Sequence, residues 1–122
     1  MKKILIIEDD EFWQEGFSEY LPDNEITILQ ALTIEEAERL FAENPDLDLI
    51  VLDILVPDEE TKPGERINTV PLLEKIRQTF RGPILAISNE SFWIDCLVRE
   101  GCSHSLTGKS QAPDEIKAIL GL

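Results

Sequence analysis

The runs Ile4-Leu5-Ile6-Ile7 and Leu49-Ile50-Val51-Leu52 are short, apolar throughout, and each stops at acid: Glu8 and Asp9 after the first, Asp53 after the second. A run of this kind has no solvent face, so it reads as a strand covered on both sides, as in the interior of a parallel sheet. In an open parallel sheet the carboxyl ends of neighbouring strands share one edge, and ligands bind there. Three carboxylates therefore converge on that edge. Their mutual repulsion is costly unless a cation relieves it.

The rest of the chain alternates strand and helix. Strand one covers about 3–8, and a helix over about 11–21 presents Trp13, Phe17, Tyr20 and Leu21 at helical spacing, with Glu11, Glu15 and Glu19 on another face. That acidic face reads as solvated. After Pro22-Asp23-Asn24, residues 26–31 form a more edge-like strand. Thr33-Ile34-Glu35-Glu36 is a capping-box sequence that opens a helix with Ile34, Ala37, Leu40 and Phe41 on one stripe. Asn44-Pro45-Asp46 ends it, and strand three runs over about 48–53. A long connection rich in Pro and charge extends to about Thr69. Pro71 then suits the first turn of a helix that turns Leu72, Leu73, Ile76 and Phe80 inward. Gly82-Pro83 leads into strand four (84–87), which ends at Ser88-Asn89. The next helix, about 91–100, carries Ile94, Leu97 and Val98 and is closed by Gly101. A weak strand five, 103–106, and a short helix from Pro113 complete the pattern. The expected architecture is α/β, a flavodoxin-like (βα)5 doubly wound sheet with strand order 2-1-3-4-5, forming one domain over residues 1–122.

Charge narrows the partners. With Lys+Arg 11 and Asp+Glu 25 the formal net charge is −14, which repels phosphate backbones and anionic lipid, so neither direct nucleic-acid nor membrane binding is expected. The 43% apolar content sets the chain apart from a disordered acidic tail. Cys96 and Cys102 read as buried free thiols, and Met1-Lys2-Lys3 opens onto an apolar run too short for a signal peptide. A cytoplasmic setting follows.

The assumed strand order gathers Glu8, Asp9, Asp53 and Ser88 at the carboxyl edge, with Lys109 able to reach in from the loop after strand five. Hard oxygen donors in a cramped site suit Mg²⁺. A carboxylate can attack phosphorus to form an acyl phosphate, and such transfer needs mainly positioning and positive charge. Other readings are weaker. Gly108-Lys109-Ser110 looks like the end of a P-loop, but Ser103 stands where its first glycine belongs. His104, the one histidine, has no ligand partner at metal spacing. Trp13, one turn beyond Asp9, borders the pocket in this reading.

In these residues, Ile4-Leu5-Ile6-Ile7-Glu8-Asp9-Asp10, Leu49-Ile50-Val51-Leu52-Asp53 with Pro57, Ile87-Ser88, and Gly101 leading to Lys109, the chain resembles the receiver domain of two-component response regulators over its whole length. The resemblance implies that Asp53 is the phosphoacceptor and that Asp9, Glu8 through water, Asp53 and the Leu55 carbonyl serve Mg²⁺. Ser88, Lys109 and the Asn89 backbone N–H would hold the phosphoryl group. It also implies a sensor histidine kinase or histidine phosphotransfer protein as donor, a downstream protein effector, and an output and dimer face on helix 4, strand 5 and helix 5. Such a domain is not a turnover enzyme on a separate substrate. An aspartate-nucleophile phosphatase is disfavoured, because Asp53-Ile54-Leu55 has no second acid two residues on.

The chain departs from the family in several places. Asp58 to Asn68 is an insertion of about eight residues beside the site. Ser105 stands where a switch aromatic is common, making Ser88 and Ser105 the candidate switch region. Lys109 falls one residue late and is followed by Ser110 rather than Pro, the stretch from Ser88 to Gly101 is short, and Asn89 replaces the usual small residue. These departures support an alternative: a pseudo-receiver, a protein-interaction module that does not use phosphorylation. The expectation is a stand-alone receiver or one excised from a longer chain, and either form is expected to act through contacts with another protein.

Overall fold

The computed structural model describes residues 1–122. Its elements are β1 (Lys2–Ile7), α1 (Glu11–Tyr20), β2 (Ile26–Ala31), α2 (Ile34–Glu43), β3 (Leu49–Asp53), β4 (Leu55–Val56), β5 (Ile67–Asn68), α3 (Val70–Arg77), β6 (Ile84–Ser88), α4 (Ser91–Glu100), β7 (His104–Thr107) and α5 (Ala112–Leu120). Five strands form one parallel sheet in the order β2-β1-β3-β6-β7. The two-residue strands β4 and β5 stand apart as an antiparallel pair. With those two set aside, the order is the expected 2-1-3-4-5, and the flavodoxin-like class holds.

The inner strands are buried on both faces, which is why their sequences are apolar without alternation. Side chains still alternate between two cores. Leu5, Ile7, Ile50, Leu52, Ile84 and Ala86 pack with Ala37 of α2, Leu73 and Ile76 of α3, and Ile94 and Leu97 of α4. On the other face, Ile4, Ile6, Leu49, Val51, Leu85 and Ile87 pack with Phe17 of α1 and with Ala112 and Ile116 of α5. Each large aliphatic side chain fully buried this way contributes about 1.5–3 kcal/mol. The fold therefore needs no disulfide, and both cysteines are free.

Local signals set the helix ends. Asp10 caps α1 by accepting from the Phe12 N–H at 2.9 Å. In α2 the Thr33 hydroxyl accepts from the Glu36 N–H at 3.2 Å, while the Glu36 carboxylate reaches back to the Leu32 N–H. Gly101 ends α4 at φ 135, a conformation that favours glycine.

Several expectations need correcting. Tyr20 and Val98 are 69% and 45% exposed rather than inward. The inner position on α1 goes instead to Gln14, whose Nε2 donates to the carbonyls of Ile6 and Glu8 and ties the helix to the end of β1. Cys96 is only half-buried, whereas Cys102 is buried. The third helix stops at Arg77, short of Phe80, in a tightening turn where the Thr79 and Phe80 N–H groups both bond to the Ile76 carbonyl. The long connection after β3 is no plain loop, since it contains the β4–β5 hairpin, with β5 inside the 58–68 insertion. No helix is long and apolar enough to cross a membrane.

Candidate functional site

The carboxyl ends of β1, β3 and β6 bring the acids together. Carboxylate oxygens of Glu8, Asp9 and Asp53 lie within 4.8 Å of one another. Glu8 and Asp53 are buried, at 0% and 3% exposure, and Asp9 is half-buried. Lys109 follows the last residues of β7, and its Nζ lies 2.8 Å from Glu8 Oε2 and 2.8 Å from Asp53 Oδ2. The ammonium is itself buried, so it acts as the internal counter-ion of the cluster.

The electrostatics follow from this crowding. Burial pushes the Glu8 carboxyl up to about 8, the hydrogen bond and charge of Asp53 push it the same way, and Lys109 pulls against them. Asp9 is raised chiefly by burial, opposed by Arg66. Burial works against the Lys109 charge, but the hydrogen bonds and charges of Asp53 and Glu8 outweigh it and hold the ammonium above the ordinary lysine value.

Asp9 Oδ1 is buried and has no hydrogen-bond partner. Such an atom is costly unless something cationic meets it. Three hard oxygen donors this close, one of them orphaned, fit a small divalent cation. The Leu55 carbonyl is also free of the hairpin ladder. Thr69 N–H donates to the Ile54 carbonyl at 2.8 Å, a register in which Leu55 and Asn68 stand opposite each other as a non-bonded pair.

A cavity of about 170 Å³ opens over Asp53, lined by Leu55, Arg66, Ser88, Asn89, Trp93 and Lys109 among others. The Ser88 hydroxyl accepts from the Glu90 N–H at 3.0 Å, so it also serves the start of α4. Asn89 contributes more than a backbone position: its Oδ1 accepts from the Lys109 N–H at 3.0 Å and fixes where the lysine departs. Ser105 lies on β7, exposed and outside this cavity.

Trp13 does not border the site. It stacks on Phe17 and lines an apolar groove between α1 and the start of α5. The tryptophan at the cavity is Trp93. Three further residues escaped the sequence reading. Thr69 is fully buried, and its hydroxyl donates to the Asp53 carbonyl at 2.7 Å, holding β3 to the start of α3. Gln14 braces the Glu8 carbonyl. Arg66, from the hairpin, places Nη1 3.8 Å from Asp9 Oδ1. A threonine before Val70-Pro71 and the lone arginine of the insertion were the only sequence hints to two of them.

A scan against protein-family models finds no match, and a search of curated proteins finds none either. Solved structures do match. One is a two-component response regulator from Clostridium difficile, 28% identical, with 99% of this chain and 97% of that one covered and a TM-score of 0.79. The non-phosphorylated HemR receiver domain from Leptospira biflexa is 25% identical over 100% of this chain and 96% of that one, with a TM-score of 0.78. The CheX–CheY–BeF3–Mg²⁺ complex from Borrelia burgdorferi matches at 16% identity over 98% of this chain and 89% of that one, with a TM-score of 0.73. From end to end, the chain has the fold of the response-regulator receiver domains and is similar to them across nearly its whole length.

Proposed function

We propose that the chain is a phosphoacceptor receiver in which Asp53 takes a phosphoryl group from a phosphohistidine on a sensor histidine kinase or histidine phosphotransfer protein. The observation that carries this reading is the buried Lys109 ammonium, 2.8 Å from Asp53 Oδ2 beside the cavity that both residues line, with carboxylate oxygens of Glu8 and Asp9 within 4.8 Å of Asp53. A free Asp53 oxygen attacks phosphorus, the donor P–N bond breaks, and the imidazole leaves with the electron pair and picks up a proton. The product is an acyl phosphate. Lys109 meets one phosphoryl oxygen, and the Ser88 hydroxyl and Asn89 N–H meet others. Glu8, Asp9, Asp53 and the Leu55 carbonyl would hold Mg²⁺, which supplies positive charge against the transferring group. A neighbour of the same fold, solved with BeF3 and Mg²⁺, is consistent with that assignment. Water later attacks the acyl phosphate and returns Asp53, so the domain serves its own cycle rather than a separate substrate. Its output passes by protein contact in the cytoplasm, through the α4–β7–α5 face, which also offers a dimer surface.

The test is incubation with acetyl phosphate and Mg²⁺, read by intact mass. One phosphoryl gain in the wild type and none in Asp53→Ala is expected. Exposed Ser105 on β7 favours a second reading, a pseudo-receiver whose partner contacts ignore phosphate. No mass gain, and no Mg²⁺-dependent beryllofluoride binding, would establish that alternative and exclude the first.

A further inference from the structure

Arg66 belongs to the inserted hairpin, and it faces two things at once. Its Nη1 lies 3.8 Å from Asp9 Oδ1, the buried oxygen with no hydrogen-bond partner. It also lines the cavity over Asp53 together with Ser88, Asn89 and Lys109. At 3.8 Å the contact is too long for a hydrogen bond, and the Arg66 side chain is 44% exposed, so it is weakly held. Lys109 makes no hydrogen bond to Asp9: its Nζ donates to Glu8 and Asp53 instead.

We infer that Arg66 has two stations: it shields Asp9 while the acids are metal-free, and it turns to the phosphoryl group on Asp53 once a divalent cation sits beside Asp9. This deepens the phosphoacceptor reading and rests on it. A cation at Asp9 repels the guanidinium. A phosphoryl group, in contrast, brings up to about two negative charges and three acceptor oxygens, which the planar fork of arginine meets in pairs. The hairpin that carries Arg66 is joined by only a two-residue ladder, so this shift leaves the five-stranded sheet alone.

The experiment titrates Mg²⁺ into unphosphorylated wild type, Arg66→Ala and Arg66→Lys, followed by calorimetry and by tryptophan fluorescence, to which Trp93 at the cavity contributes. Beryllofluoride is then added at saturating Mg²⁺. Arg66→Ala is expected to bind Mg²⁺ about fivefold more tightly, its competitor gone, and beryllofluoride about tenfold more weakly. Arg66→Lys keeps near-wild-type Mg²⁺ affinity but shares the beryllofluoride defect, because it has charge without the fork. Unchanged affinities in Arg66→Ala, or weaker Mg²⁺ binding, overturn the inference. If acetyl phosphate labels the wild type while Arg66→Ala matches it in every titration, only the role of Arg66 falls. A wild type that takes up neither Mg²⁺ nor beryllofluoride removes the phosphoacceptor reading as well.

Discussion

Lys109 comes one residue later than the receiver pattern has it, yet its ammonium bridges the two innermost carboxylates. The slip is absorbed beside it. Gly108 adopts φ +99, which only glycine takes without strain, and Asn89 Oδ1 receives the Lys109 N–H. Removing the charge strands two buried acids, so Lys109→Met should lower the stability of the metal-free protein by about 3 kcal/mol, measured by urea unfolding. A loss within experimental error would mean that the acids are not held by the lysine. Cys102 offers a second test at this scale. Burial pushes its thiol up to about 12, so in native protein at pH 8 only Cys96 should react promptly with a thiol reagent, and Cys102 only after unfolding. The sign extends to stability: as pH rises above about 9 the unfolded thiol ionises while the folded one stays neutral, so Cys102 favours unfolding there. The acids and the lysine were legible in the sequence because strand ends announce themselves. Thr69, Gln14 and Arg66 were not, because their partners are set by folding rather than by spacing.

At the scale of the elements, α1 carries an unexplained residue. Gly16 lies in the middle of the helix, its φ is ordinary, and a Cβ there would meet nothing within 4 Å. Gly16→Ala should therefore stabilise the fold by up to about 1 kcal/mol, seen as a higher denaturant midpoint with an unchanged slope. A lower midpoint would show that the space is not free in solution. Four of the sheet strands and the five helices were readable from their apolar patterns, with ends off by a residue or so except in α3, which stops three residues before Phe80; β7, His104–Thr107, was placed by its position after Gly101. The β4–β5 hairpin was not. Two-residue strands have no period, and Pro57, Pro63 and the surrounding charges read as loop. Tyr20 and Val98 show the other limit, since helical spacing marks a stripe but not which margin of it the neighbours cover.

For the whole molecule, a formal charge of −14 meets a sheet edge that concentrates acids. If Mg²⁺ occupies that edge, a concentration ten times its Kd should stabilise the protein by about 1.4 kcal/mol, raising Tm by about 5 °C. Asp9→Asn should remove most of that rise while leaving the metal-free Tm near the wild type, because the lost oxygen had no hydrogen-bond partner. An equal rise in the variant would place the metal elsewhere. One further consequence comes from the clamp at Thr69, whose N–H and hydroxyl hold the carbonyls of Ile54 and Asp53. Residues 55–68 leave and re-enter the domain at one fastened neck. Loop-closure entropy grows only with the logarithm of length, about 0.6 kcal/mol per doubling. The tip of the segment, 58–65, can therefore lengthen or shorten at little thermodynamic cost, while buried Val56 and the Arg66 beside Asp9 hold its two ends in place.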